Sequence, residues 1–162
     1  VINILLRAIS VALPAGALIW IFANISVGNK SILLWICQAL DPIGKLMGMD
    51  GEILCGFILG FPANEIVIPI ILMCYCGTGT FSEFTSNAQL LEILKNNGWT
   101  ITTVICTMLF CVFHFPCATT CITIYKETKS KAVTILAFTI PLLIGIILCT
   151  SVKFTFSILG IS

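Results

Sequence analysis

Two long apolar stretches of this chain are broken in the middle. One runs from Ile53 to Cys76 and is interrupted by Gly60-Phe61-Pro62-Ala63-Asn64-Glu65. The other runs from Trp99 to Tyr125 and is interrupted by His114-Phe115-Pro116-Cys117-Ala118-Thr119-Thr120. Non-helical backbone at membrane depth is tolerated only where it is buried in protein or lines a cavity. A pair of Gly/Pro-interrupted apolar segments is the strongest sequence pointer to a transport site.

The membrane setting follows from composition. The chain is 59% hydrophobic and 9% charged, against about 25% charged in a soluble domain. No basic cluster with interleaved aromatics occurs, so nucleic acid is set aside as a partner. The nine cysteines fall inside apolar runs without a Cys-x-x-Cys pair. That usage reads as small hydrophobes at helix contacts rather than disulfides. The first residue is Val1 and no signal-peptide pattern follows, so the chain is expected to be the C-terminal part of a longer protein.

Along the chain, Ile4 to Ile25 is long enough to span, with a bend expected at Pro14. A helix capped by Ser31 is expected to run to Leu40 and stop at Asp41-Pro42-Ile43-Gly44, too short to cross and therefore interfacial. A second short amphipathic helix is expected from Ser86 or Asn87 to Gly98. Ala132 to Val152 is an uninterrupted span, kinked at Pro141, with Lys153 just beyond it. The loop carrying Lys126, Lys129 and Lys131 belongs in the cytoplasm by the positive-inside rule, and Arg7 puts the N-terminus on the same side. Whatever lies between the first span and Trp99 then begins and ends outside. Either Ile53–Cys76 is a re-entrant hairpin with Pro62–Glu65 at its tip, or the Ser31–Met49 segment and Ile53–Cys76 each cross once; the hairpin is preferred. The expected fold is an all-α integral membrane protein. It has transmembrane helices, a re-entrant broken-helix hairpin, one discontinuous spanning helix and short interfacial helices.

The two breaks differ in chemistry. Pro62 stops the first half-helix, and Asn64 is expected to cap the second with Glu65 at its first position, where the helix dipole favours a carboxylate. Pro69 cannot donate to the Glu65 carbonyl and, with Pro62 and Pro116, is expected to break the helix. Oxygen donors therefore collect at this tip. At the second break Pro116 frees the Val112 carbonyl. His114 and Cys117, and Cys117 and Cys121, share a face if the turn is helical. Thr119, Thr120 and Cys121 are expected to line or shape the path. Asn64, Glu65, Cys117 and His114 are the candidate metal ligands. Their mixture of oxygen, nitrogen and sulfur suits a borderline ion such as Fe(II) better than Na⁺ or Ca²⁺. Each has a plainer reading: Asn64 as a cap, His114 as a satisfied structural histidine, Cys121 as packing.

These residues resemble a known family. Gly60-Phe61-Pro62-Ala63-Asn64-Glu65-Ile66-Val67, Gly98-Trp99-Thr100, His114-Phe115-Pro116-Cys117-Ala118-Thr119-Thr120 and Lys126-Glu127-Thr128 are similar to the C-terminal membrane region of the ferrous iron transport protein B (FeoB) family. The Asp41-Pro42-Ile43-Gly44 connector adds to the likeness, which covers Arg7 to Val152. The resemblance implies one membrane domain, 1–162, holding the second of two Gate modules at about 7–152. It implies a multi-pass Fe(II) importer of the prokaryotic cytoplasmic (inner) membrane, with Cys117 on the iron path. Fe(II) would be cargo, with no cofactor tightly bound. The implied partners are the lipid bilayer and an N-terminal half with a G domain and first Gate, in the same polypeptide or a separate one; a homo-oligomer is compatible. No Gly-x-x-x-x-Gly-Lys-Ser/Thr occurs, so GTP and Mg²⁺ belong to that N-terminal domain and no enzyme activity is expected here. The alternatives are a Gate-module carrier for nucleosides or another small solute, and a non-transporting Gate-type scaffold.

Overall fold

A computed structural model of the chain describes residues 2–27, 30–76 and 87–160. The fold is all-α. Helices α1 (Ile2–Asn24), α2 (Ile32–Leu46), α3 (Gly51–Leu59), α4 (Val67–Cys76), α5 (Asn87–Asn96), α6 (Ile101–Phe113), α7 (Ala118–Thr128) and α8 (Lys131–Ile158) follow in order. A two-residue antiparallel pairing of Ser26–Val27 with Lys30–Ser31 turns the chain between α1 and α2.

Local chemistry sets most of the boundaries. The Ser31 hydroxyl accepts from the Leu34 amide and starts α2, and Asp50 accepts from Ile53 at 2.7 Å and starts α3. Thr100 caps α6, and Ser130 caps α8. Each cap satisfies one of the amides that a helix N-terminus leaves open. Gly98 closes α5 at a φ of 77°, a left-handed conformation suited to glycine. The amphipathic helix expected there is thus borne out, although its cap at Ser86 lies outside the described residues.

Three boundaries differ from expectation. α2 does not stop at Leu40 but continues through Pro42 to Leu46, giving up one ladder bond to Gln38. Pro69 does not break a helix; it occupies the first turn of α4, where an amide has no intrahelical partner to lose. α8 does not end before Lys153 but carries it inside and runs to Ile158. The Lys153 ammonium donates to the Lys45 carbonyl at the end of α2, a favourable place for a cation.

α3 and α4 form an antiparallel hairpin. Gly60 lies against Val67, Gly56 against Ile71, and the Tyr75 hydroxyl donates to the Asp50 carboxylate. Gly56 and Gly60 are spaced as a small-xxx-small pair, which lets the arms approach closely. With 9 and 10 residues at about 1.5 Å rise each, each arm reaches roughly half of a ~30 Å hydrocarbon core.

α2 and α3 meet at 109° and together are long and apolar enough for a bent crossing. α2 is packed on the hairpin through buried Leu33, Cys37 and Gly44 rather than lying apart from it. The stretches Ile101–Thr128 and Lys131–Ile158, 28 residues each, are long and apolar enough to span a membrane. The first contains the second break and is the expected discontinuous helix. Lys129, at φ 51°, and Ser130 make the turn between them.

One core cluster joins the hairpin to α6 and α8 through Ile53, Phe57, Ile71, Cys106, Phe110 and Cys149. A second joins α1 and α2 to the hairpin through Ile19, Leu33, Cys37, Cys55, Ile70 and Cys74. Five of the nine cysteines are buried in these contacts, as their apolar setting suggested.

Among the described glycines, Gly51 leaves the least room for a side chain. A Cβ there would sit 2.0 Å from the Cys37 carbonyl oxygen. Gly51→Ala is expected to lower stability in detergent by about 1–3 kcal/mol, the usual scale of overpacking. Gly16→Ala, where nothing lies within 4 Å, should leave it within error. Thermal unfolding of the two variants side by side checks this.

Candidate functional site at the two helix breaks

The tip of the hairpin is Phe61-Pro62-Ala63, followed by a 3₁₀ turn over Asn64–Ile66 that leads into α4. Pro62 lies in the break, as expected. Asn64 does not cap the second half-helix. The capping position is Ala63, with no side-chain bond, because the chain enters α4 through the tighter 3₁₀ turn. The Asn64 and Glu65 side chains are both exposed at the tip of the isolated chain. Relieved of the capping role, Asn64 offers its amide oxygen outward beside the Glu65 carboxylate.

The second break is not helical between His114 and Cys117. The shared face expected of that pair therefore does not form. α6 ends on His114, whose amide bonds Phe110 at 2.8 Å, and α7 starts after Cys117, an extended residue at φ −63° and ψ 161°. The Cys117 sulfur lies 3.1 Å from each of the Thr119 and Thr120 hydroxyls. The thiol thus sits at the mouth of α7, held between two hydroxyls. The Cys121 thiol turns back to the Pro116 carbonyl at 3.5 Å, so it satisfies the break more than it lines a path.

His114 faces the hairpin arm and not its tip. Its ring packs against Phe57 at 5.2 Å and Phe115 at 5.4 Å. Nδ1 lies 3.0 Å from the Cys111 carbonyl and donates to it. Nε2 is buried without a hydrogen-bond partner.

The two breaks meet. The Ala118 amide, the first of α7, donates to the Phe61 carbonyl at the hairpin tip at 2.8 Å. Around this bond Phe115 and Phe138 stack at 5.0 Å, and Phe61 meets both rings edge-on at 5.7 and 6.0 Å. The aromatic wedge belongs to sequence-distant positions, and Phe138 of α8 carries no sequence signal of its own. The structure thus brings the oxygen-bearing tip and the sulfur-bearing break side by side. It does not gather Glu65, Cys117 and His114 into a ready coordination set. Among the described residues, the one group of three or more His, Cys, Asp or Glu ligand atoms within 4.8 Å of each other is Cys37, Cys55 and Cys74, which sequence reasoning took for packing.

Comparison of the sequence with known proteins places the chain in a family. The family described as Gate, nucleoside recognition, matches residues 5–131, a span that takes in both breaks and the hairpin. The chain belongs to the Gate family. It is also 29% identical over 94 residues to the Fe(2+) transporter FeoB of Leptospira interrogans serogroup Icterohaemorrhagiae serovar copenhageni (strain Fiocruz L1-130). The same identity and length hold for the FeoB of serovar Lai (strain 56601). The match covers 56% of this chain but 13% of each relative, so the chain corresponds to a small part of those proteins. No solved structure matches it. The resemblance read from the break motifs is borne out, and the chain is a Gate-type membrane protein.

The bond between the breaks can be removed without disturbing either helix. Ala118 holds the first position of α7, where proline is favoured, and the extended Cys117 before it is the conformation a following proline requires. Ala118→Pro should therefore keep α7 and lose the bond to Phe61. Because the Phe61 carbonyl is left unmet, the expected cost is about 1–3 kcal/mol by thermal unfolding, with faster hydrogen exchange over the tip amides of Ala63 to Ile66.

Proposed function

We propose that this chain forms part of an Fe(II) permeation pathway in a FeoB-type importer of a prokaryotic cytoplasmic membrane. The reading rests chiefly on the bond between Phe61 and Ala118. That bond joins the break that carries Asn64 and Glu65 to the break that carries Cys117. Asn64 and Glu65 would supply oxygen and Cys117 sulfur, a loose donor set for a borderline ion. His114 holds the break against Phe57 and offers Nε2 if the break moves. Thr119 and Thr120 orient the Cys117 thiol. Loose gathering of these donors agrees with conduction, which needs binding weak enough to release the ion.

In this reading the hairpin is re-entrant, with arms of half-membrane length that bring its tip to the bilayer midplane. Asn64 and Glu65 then face a second Gate half that completes the path. The shares of the relatives that remain unmatched, and the wide apolar surface of α8, support such a partner. A G domain elsewhere in the assembly would bind GTP and Mg²⁺; no catalysis is assigned to these residues. The family description also favours a second reading, a carrier that hydrogen-bonds nucleosides through Asn64, Glu65 and the threonine pair.

Uptake by cells expressing the complete transporter tests both. Cys117→Ser and Glu65→Gln are each expected to cut Fe(II) uptake by about tenfold or more, a scale reached even by groups that only support metal ligands. Unchanged uptake in both variants removes them from the path. Accumulation of labelled nucleoside with no response to Fe(II) replaces the iron reading with the carrier one.

A further inference from the structure

We infer that Cys37, Cys55 and Cys74 form a second metal site, a three-sulfur cradle for the thiophilic ion Cu(I) that ties α2 to the hairpin. The three thiols come from three different helices, α2, α3 and α4. They are 0%, 0% and 4% exposed. All three sulfurs lie within 4.8 Å of each other, and Cys37 and Cys74 are 3.7 Å apart. A metal bound to sulfur at about 2.3 Å in a trigonal arrangement needs sulfurs about 4 Å apart. Small χ1 adjustments therefore close the set without moving a helix.

The donor set selects the ion. The grouped ligand atoms are all sulfur, and their buried apolar neighbours include Ile19, Leu33, Ile70 and Met73. Hard ions that require carboxylates, carbonyls or water are excluded by that lining. Structural zinc takes four ligands, and a fourth His, Cys, Asp or Glu does not join this group among the described residues. Three thiolate sulfurs in a dry pocket suit Cu(I). On binding, the ligating thiols pass their protons to solvent, and no oxidation is involved.

The cradle is distinct from the breaks. It lies toward the base of the hairpin, about five residues before Gly60 on α3 and seven after Val67 on α4, or roughly 8–10 Å along the helices. Simple packing would account for three buried cysteines one at a time. It does not account for their sulfurs converging from three helices. An ion here would cross-link α2, α3 and α4 and so hold the hairpin on its support. Since it binds the folded state, it would also stabilise that state by mass action.

The test uses the full chain in lipid nanodiscs under anaerobic conditions, titrated with Cu(I) against a chromophoric Cu(I) chelator. One equivalent is expected, with an X-ray absorption shell of three sulfurs and no nitrogen or oxygen. Cys37→Ser, Cys55→Ser and Cys74→Ser should each weaken binding by at least tenfold, while Cys117→Ser and Cys121→Ser retain it. Cys55→Ala, checked for helical content and monodispersity, guards against a folding defect. Cu(I) should raise the unfolding temperature of the parent protein and not of this variant. The inference is overturned if Cu(I) does not bind, if the three substitutions leave binding unchanged, if the shell contains nitrogen or oxygen, or if Zn(II) binds here and Cu(I) does not. Loss of the iron pathway through Cys117 would leave this result untouched.

Discussion

The hydrogen bond from the Ala118 amide to the Phe61 carbonyl is the contact on which the rest of the structure turns. A helix break in an apolar medium exposes amides and carbonyls that water cannot reach, and each unmet group is costly. Here the end of one break answers the beginning of the other. The open amide at the head of α7 takes the open carbonyl at the hairpin tip. Two defects that would each be unfavourable alone become one joint, and Phe61, Phe115 and Phe138 seal it with ring contacts.

The joint leaves the polar side chains of the tip unspent. Because backbone meets backbone, Asn64 and Glu65 remain exposed and Cys117 is held by two hydroxyls instead of being buried. The opposite end of the hairpin is fastened differently. Tyr75 donates to Asp50, Trp99 donates to Tyr75 at 2.7 Å, and Lys153 reaches the end of α2. Polar anchoring at the base and a sparsely bonded tip give the hairpin one fixed end and one open end.

The apolar surface has a similar asymmetry. The arms of the hairpin bury Ile53, Phe57, Ile70 and Ile71 almost completely, whereas Ile135, Leu143, Ile147 and Phe154 of α8 are more than half exposed. In water such a surface would drive aggregation; in a bilayer it is the surface lipid or a companion helix covers. The inner helices are held by their neighbours in this chain, and the outer one by its surroundings.

The positions of both breaks, the helices on either side and the caps at Ser31 and Gly98 were legible in the sequence, because proline, glycine and capping side chains act on their own few residues. So was the membrane setting, which depends only on summed apolarity, and so was the family, whose motifs lie at the breaks. Local rules failed where neighbours intervene. Pro42 is carried inside a helix because α2 is packed on α3, Pro69 is harmless because the break ends one turn earlier, and the cap expected of Asn64 was displaced by a 3₁₀ turn. What only the tertiary structure decided is which distant groups touch. The meeting of Phe61 with Ala118, and of Cys37 with Cys55 and Cys74, joins residues far apart in the chain. No periodicity or spacing encodes such a meeting; it follows from antiparallel arms, small residues that permit close approach, and the need to pair every buried polar group.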